Sequence, residues 1–190
     1  MLTRTSRLLT YLCAILYAVL GALLFHLPES LSPVFAWKVT AFMTMTIGGW
    51  CLGNAWLAWI SARRWEWRLV RTSLIYLWLF GLFESYVLFA FRDKIQAAHP
   101  IAWLYLVTLA INLLTALVGI FDWLRLRPAR EPFAESLPWW TRAAVIGFVV
   151  LVAGLGLYGV IAQVGWPSTQ GEIFPEIMSL FTLRSFGFFY

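Results

Sequence analysis

Two opposite charges sit inside apolar runs: Glu84 in "LFGLFESYVLFAF" and Arg184 in "FPEIMSLFTLRSFGFFY". A carboxylate at bilayer depth costs about 2.5–3.5 kcal/mol on insertion scales, so such groups face a bundle interior and usually pair. Counted along the runs that hold them, each lies about seven residues below the same end of its span. Two arrangements are open. Glu84 and Arg184 form an intramembrane charge pair, either as a helix clamp or as the site of a solute or ion path. In the other arrangement Arg184 faces a partner subunit or lipid headgroups, and Glu84 is protonated.

His26 and His99 are the only histidines. Such residues can hold a haem or a chlorophyll-type pigment, so they are the candidate ligand or pigment contacts. Both fall at span ends, where solvated or capping histidines are ordinary, and Pro100 after His99 suits a first helical turn. Asn54 and Asn112 lie at membrane depth, where interhelical hydrogen bonds average about 0.6 kcal/mol. Asp122 lies near Arg125, close enough in sequence to be neutralised by it. Cys13 and Cys51 have no CxxC or metal-ligand spacing and read as small buried residues, not a disulfide.

"GLGLYG" (Gly154 to Gly159) fits G-x-G-x-x-G, but the dinucleotide motif needs a strand before it and a helix after it. Within an apolar run it reads as a helix-packing face with Gly147 and Ala153. Ala14, Ala18 and Ala22, and Gly49-x-x-x-Gly53, read the same way. No HExxH, GxSxG or Walker pattern occurs in the sequence, and no carboxylate cluster suggests a metal. The expectation is a non-enzymatic protein with no cofactor. "SARRWEWRLVR" carries Arg63, Arg64, Arg68 and Arg71 beside two tryptophans. This lipid-facing basic patch fits anionic lipid at about 1 kcal/mol per basic residue, and nucleic acid is not expected as a partner.

The elements that must position these residues are set by composition. Of 190 residues, 62% are hydrophobic and 12% charged. Soluble domains run at about 45–50% and about 25%. Five uncharged or nearly uncharged blocks reach the roughly 20 residues that a bilayer core requires. They run Leu8–Leu27, Phe35–Ile60, Thr72–Phe91, Ile101–Leu124 and Ala143–Val164, and a sixth starts near Ile177. The first is too long for a signal peptide and lacks a small-x-small cleavage site. The expected fold is therefore an all-α polytopic transmembrane bundle of six spans, the last truncated.

The basic residues sort by side. Arg4, Arg7, Arg63, Arg64, Arg68, Arg71, Arg125, Arg127, Arg130 and Arg142 share one side, and Lys38, Arg92 and Lys94 the other. The positive-inside rule puts the N-terminus in the cytoplasm of a multi-pass inner (plasma) membrane protein. Trp37, Trp103 and Trp166 fall at outer span ends, and Trp59, Trp65, Trp67, Trp123, Trp139 and Trp140 at inner ends, as interfacial belts. Trp50 and Trp78 are mid-span and read as packing residues.

Spans 1–2 resemble spans 5–6. At an offset of 139, Phe35, Phe42 and Gly48 meet Phe174, Phe181 and Gly187, and Thr40 and Thr46 meet Ser179 and Ser185. At an offset of 135, Arg7, Ala18 and Gly21 meet Arg142, Ala153 and Gly156. A four-span unit returns the chain to its starting side, so the copies are parallel. The organisation expected is a four-span unit over 1–124, a cytoplasmic-side linker over 125–142, and the start of a second, incomplete unit over 143–190. The stretch from Ile177 to Tyr190 is only about 21 Å of helix, so the natural chain is expected to continue past Tyr190.

At "HPIAW" and "HLPESLSPVFAW" the sequence resembles a group of uncharacterised bacterial multispanning membrane proteins. These have F-x-W before a Thr- and Gly-containing span and His-Pro before another. The resemblance covers spans 2 to 4 and implies no known activity. Scarce polar residues within the spans, many aromatics and small-residue faces point to an accessory or structural subunit packed on other transmembrane subunits, a pigment or lipid. The alternative is a small-solute or ion transporter or channel component with Glu84 and Arg184 at the site.

Overall fold

The computed structural model describes residues 2–128, 138–170 and 179–189. It is 84% helical, without strands among the described residues. The chain divides into two compact units, Met1–Arg130 and Glu131–Tyr190.

In the first unit, α1 (Arg4–His26) starts where the Thr3 side chain accepts from the Ser6 N–H at 3.3 Å. A short α2 (Pro28–Leu31) and a 3-10 turn (Ser32–Val34) follow, set by Pro28 and Pro33. α3 (Ala41–Arg64) starts later than the Phe35 expected for span 2. Thr40 accepts from the Met43 N–H at 3.3 Å and so supplies an acceptor that a helix start lacks. Ahead of it, Phe35, Ala36 and Trp37 are buried without being helical. α3 ends on Trp65, which is left-handed at φ 36°, and α4 (Trp67–Ala90) starts two residues on. A 3-10 turn (Arg92–Lys94) leads to α5 (Pro100–Leu126), which starts on proline and ends on left-handed Arg127, φ 39°.

The second unit contains α6 (Trp139–Ile161), α7 (Pro167–Gln170) and α8 (Leu180–Phe189). Of the expected 125–142 linker, the first residues extend α5, Trp139–Arg142 begin α6, and 129–137 lie outside the described residues. The expected start of span 6 at Ile177 also lies outside them.

Four helices, α1, α4, α5 and α6, are long and apolar enough to cross a membrane, as in a membrane protein. α3 is as long as α4, but Thr44, Thr46, three glycines and Asn54 dilute its apolar character, and it is not among the four.

Within the first unit α1 packs most closely on α3, α5 lies against α1 and α4, and α4 closes back on α3. The α1–α3 approach rests on glycine. A Cβ at Gly21 would lie 2.9 Å from Gly48 O, and one at Gly48 would lie 2.5 Å from Phe25 N. These differ from the expected small-residue faces. Gly53 meets nothing within 4 Å, Gly49 only the Phe25 ring edge, and Ala18 and Ala22 are exposed. In the second unit Gly156 and Gly159 are buried and the α6–α8 approach involves Gly187, whereas Gly147, Ala153 and Gly154 take no part in it.

The tryptophans divide similarly. Trp59, Trp103, Trp139 and Trp140 are exposed, as belt residues are. Trp65 and Trp67 instead join Leu2, Val70, Leu74, Trp78 and Ala116 in a core cluster. Trp67 stacks on Trp78 and Trp123 with centroids 6.2 and 6.3 Å apart. Trp37 is likewise core, not belt.

A candidate functional site in the first helix bundle

The largest group of buried polar side chains in the first unit falls on one seam of α5. Tyr105, Thr108, Asn112, Thr115 and Asp122 recur at intervals of three, four or seven, which keeps them on one helix face. All five are buried. α1 runs antiparallel beside them and supplies partners in register. Asp122 accepts from the Thr3 N–H at 3.2 Å and from the Thr3 and Ser6 hydroxyls. Thr115 Oγ1 and Cys13 Sγ are 3.1 Å apart, and Asn112 Nδ2 donates to Tyr17 Oη at 2.8 Å. Thr108 and Thr115 hydroxyls also donate back to carbonyls of their own helix.

At the far end of the seam the partner changes from α1 to α4. Tyr105 Oη donates to Glu84 Oε1 at 2.9 Å. Glu84 is 1% exposed. Phe35 and Trp37 cover this level: their rings meet the Tyr105 ring edge-on at centroid distances of 5.4 and 5.1 Å. The Gln96 N–H donates to Ala36 O at 2.7 Å, tying this plug to the α4–α5 connection. A carboxyl group is thus buried inside the first unit beneath aromatic rings. Such a setting can clamp helices or hold a proton or cation.

Arg184 lies half-buried on α8 in the second unit, and Glu84 on α4 in the first. His26 and His99 are both exposed, at the last residue of α1 and at the residue before α5. His99 lines an apolar groove of about 500 Å³ with Leu23, Leu31, Val34 and Ile101; His26 instead stands edge-on to Phe25. Among the described residues no three of His, Cys, Asp and Glu come together to hold a metal.

Asp122 is held by the α1 hydroxyls and the Thr3 N–H, and the Arg125 charge lies close enough to act on it as well. Asn112 makes the expected interhelical bond, whereas Asn54 Nδ2 is buried without a hydrogen-bond partner among the described residues. Both cysteines are free and buried. Outside the spans, Lys94 pairs with Asp93 at 3.1 Å, and that hydrogen bond holds the Asp93 carboxyl below its ordinary range. Of the four patch arginines, Arg63 and Arg64 close α3, and Arg68 and Arg71 fall in the first turns of α4.

Tyr17, Tyr105 and Thr115 carry no motif of their own in the sequence, whereas the F-x-W stretch, Phe35 to Trp37, stands out there without its role as a plug. The three-and-four spacing along α5 was the available signal. No protein-family model matches the chain, and neither does any curated protein or solved structure.

Proposed function

We propose that the protein is a non-enzymatic, multi-pass protein of the inner (plasma) membrane with a cytoplasmic N-terminus, serving as an accessory or structural subunit of a larger membrane complex. In this reading α3 crosses the bilayer as well, and α8, about 15 Å long, is part of a sixth span. One observation carries the subunit role. α1 buries eight of its residues, whereas α6, of the same length, buries only Gly156 and Gly159. Val145, Ile146, Phe148, Val149, Val150 and Leu151 are all exposed large apolar groups. Such a helix offers a long face to a further transmembrane element.

A parallel repeat sharpens this reading, and three correspondences support it. Thr40 accepts from the Met43 N–H at 3.3 Å, and Ser179, 139 residues on, from the Thr182 N–H at 3.2 Å. A Cβ at Gly48 would lie 2.5 Å from Phe25 N; one at Gly187 would lie 2.6 Å from Val160 N, and Val160 is 135 residues after Phe25. Gly21 and its counterpart Gly156 both approach the partner glycine, Gly48 and Gly187. In the first unit the glycine-paired helices are clothed by α4 and α5; in the second the same pair offers its apolar face.

The test is purification in mild detergent from native membranes, recording particle mass, co-purifying chains and visible spectrum. An assembly with other transmembrane chains is the expected result. A colourless particle of this chain alone overturns the subunit reading. Pigment bands lost on His99→Ala or His26→Ala would assign those residues as ligands.

A second reading, a solute or ion transporter or channel component, is favoured by the buried Glu84 and its Tyr105 partner. The proposed Glu84–Arg184 pair belongs to it equally as site or as clamp. Loss of flux on Glu84→Gln in proteoliposomes, with expression retained, supports the transporter. Recovery of expression by combining Glu84→Arg with Arg184→Glu supports the pair.

A further inference from the structure

We infer that the outward face of α3 at its arginine-bearing end is a binding site for an anionic phospholipid. Trp56, Trp59, Ile60 and Arg63 recur at three, four and seven residues along one face of α3, and Arg64 stands beside Ile60. Together these five side chains line a groove of about 370 Å³. The groove is graded as a lipid is. The guanidiniums lie at the helix end. Trp59 stands about 6 Å along the axis from Arg63, at the depth of the ester region, and Trp56 about 10 Å, among acyl carbons.

The site is positioned by α1. Arg7 Nε donates to Ala62 O at 2.8 Å, and its terminal nitrogen to Arg63 O at 3.4 Å, so the last carbonyls of α3 are capped by a cation. The same guanidinium lies over the Tyr11 ring, and Tyr11 meets Trp59 edge-on at 5.4 Å. Arg7 is therefore committed to the scaffold. Arg63 and Arg64 are exposed and form no ion pair among the described residues, which leaves two forked cations for a phosphate. Charge complementarity thus selects the occupant. The groove separates Arg63 and Arg64 from Arg68 and Arg71, which lie beyond the Trp65 turn and do not line it.

The site rests on the membrane reading of the chain and not on the subunit reading. Its test is retention of phosphatidylglycerol against phosphatidylcholine by the purified full chain in detergent micelles, read by native mass spectrometry, with inorganic phosphate as a headgroup-only arm. Both lipids carry the phosphate, but choline offsets its charge in phosphatidylcholine, so two arginines drawn to net negative charge give an expected preference of roughly thirtyfold for phosphatidylglycerol. Joint Arg63→Gln and Arg64→Gln should remove it, and joint Arg68→Gln and Arg71→Gln should keep it. Equal retention of the two lipids, equal losses in the two double variants, or competition by inorganic phosphate at equal concentration would overturn the site. Should the first variant not fold, brominated phosphatidylglycerol decides. Quenching smaller in Trp56→Phe than in the unaltered chain is expected, and unchanged quenching overturns the proposal. A chain soluble without detergent would instead remove the membrane reading itself.

Discussion

Gly48 and Gly53 lie five residues apart on α3 and meet opposite surroundings. A Cβ at Gly48 would press on the backbone of Leu24 and Phe25, which cannot swing aside as a flexible side chain can. A Cβ at Gly53 would meet nothing within 4 Å. Gly48→Ala should therefore cost about 1–3 kcal/mol, as overpacking does. Gly53→Ala should be neutral or stabilise by up to about 1 kcal/mol through helix propensity. Thermal unfolding in detergent, followed by tryptophan fluorescence, reads both; equal effects would mean that α1 and α3 do not cross at Gly48. The seam residues give a second contrast. Tyr105→Phe removes the donor to Glu84, and Tyr17→Phe the acceptor of Asn112. Each should lower stability by about 0.5–2 kcal/mol, within the range for interhelical bonds in membranes. A double-mutant cycle of Tyr105→Phe with Glu84→Gln should show coupling, and strict additivity would deny the bond.

At the scale of elements, ends carry most of the information. Thr40 starts α3 and Ser179 starts α8, each by accepting from the third N–H beyond it. α5 ends on Arg127 in the left-handed region, where a Cβ is disfavoured by about 1–2 kcal/mol. Arg127→Gly should raise stability, by up to about 1 kcal/mol once the extra chain entropy of glycine is subtracted, read as a higher unfolding midpoint. A fall would mean that the arginine anchors the helix end by its charge. Hydropathy made α1, α4, α5 and α6 legible in the sequence, because length and apolar content suffice for a helix in lipid. It overran at Phe35, because a buried extended stretch is as apolar as a helix. Glu84 was legible as an interior residue by its cost alone. Tyr105 and Tyr17 were not, because a tyrosine among 18% aromatic residues marks no site until its hydroxyl has a partner.

At the scale of the whole molecule, the distribution of charge and the packing of helices make one joint prediction. Arg4, Arg7, Arg63, Arg64, Arg125 and Arg127 gather at one end of the first unit, where Asp122 on α5 meets Thr3 and Ser6 on α1 and where Arg7 caps α3. Arg92 and Lys94 lie at the other, between α4 and α5. Short connections leave the basic residues close to the span ends, where their side decides orientation. The proposed topology therefore requires Lys94→Cys to react with a membrane-impermeant maleimide on intact spheroplasts. Arg127→Cys must stay unlabelled until the membrane is permeabilised. The native cysteines do not obscure the readout, since Cys13 and Cys51 are both buried. Labelling of Arg127→Cys from outside would invert the topology and move the α3 phospholipid groove to the outer leaflet. Labelling of both positions from outside would mean that α5 does not cross, and would remove the bundle as a membrane-spanning unit. The predicted pattern, one reactive and one protected position on either end of a single helix, fixes α5 as a span and carries α1, α3 and α4 with it through the contacts that bind them.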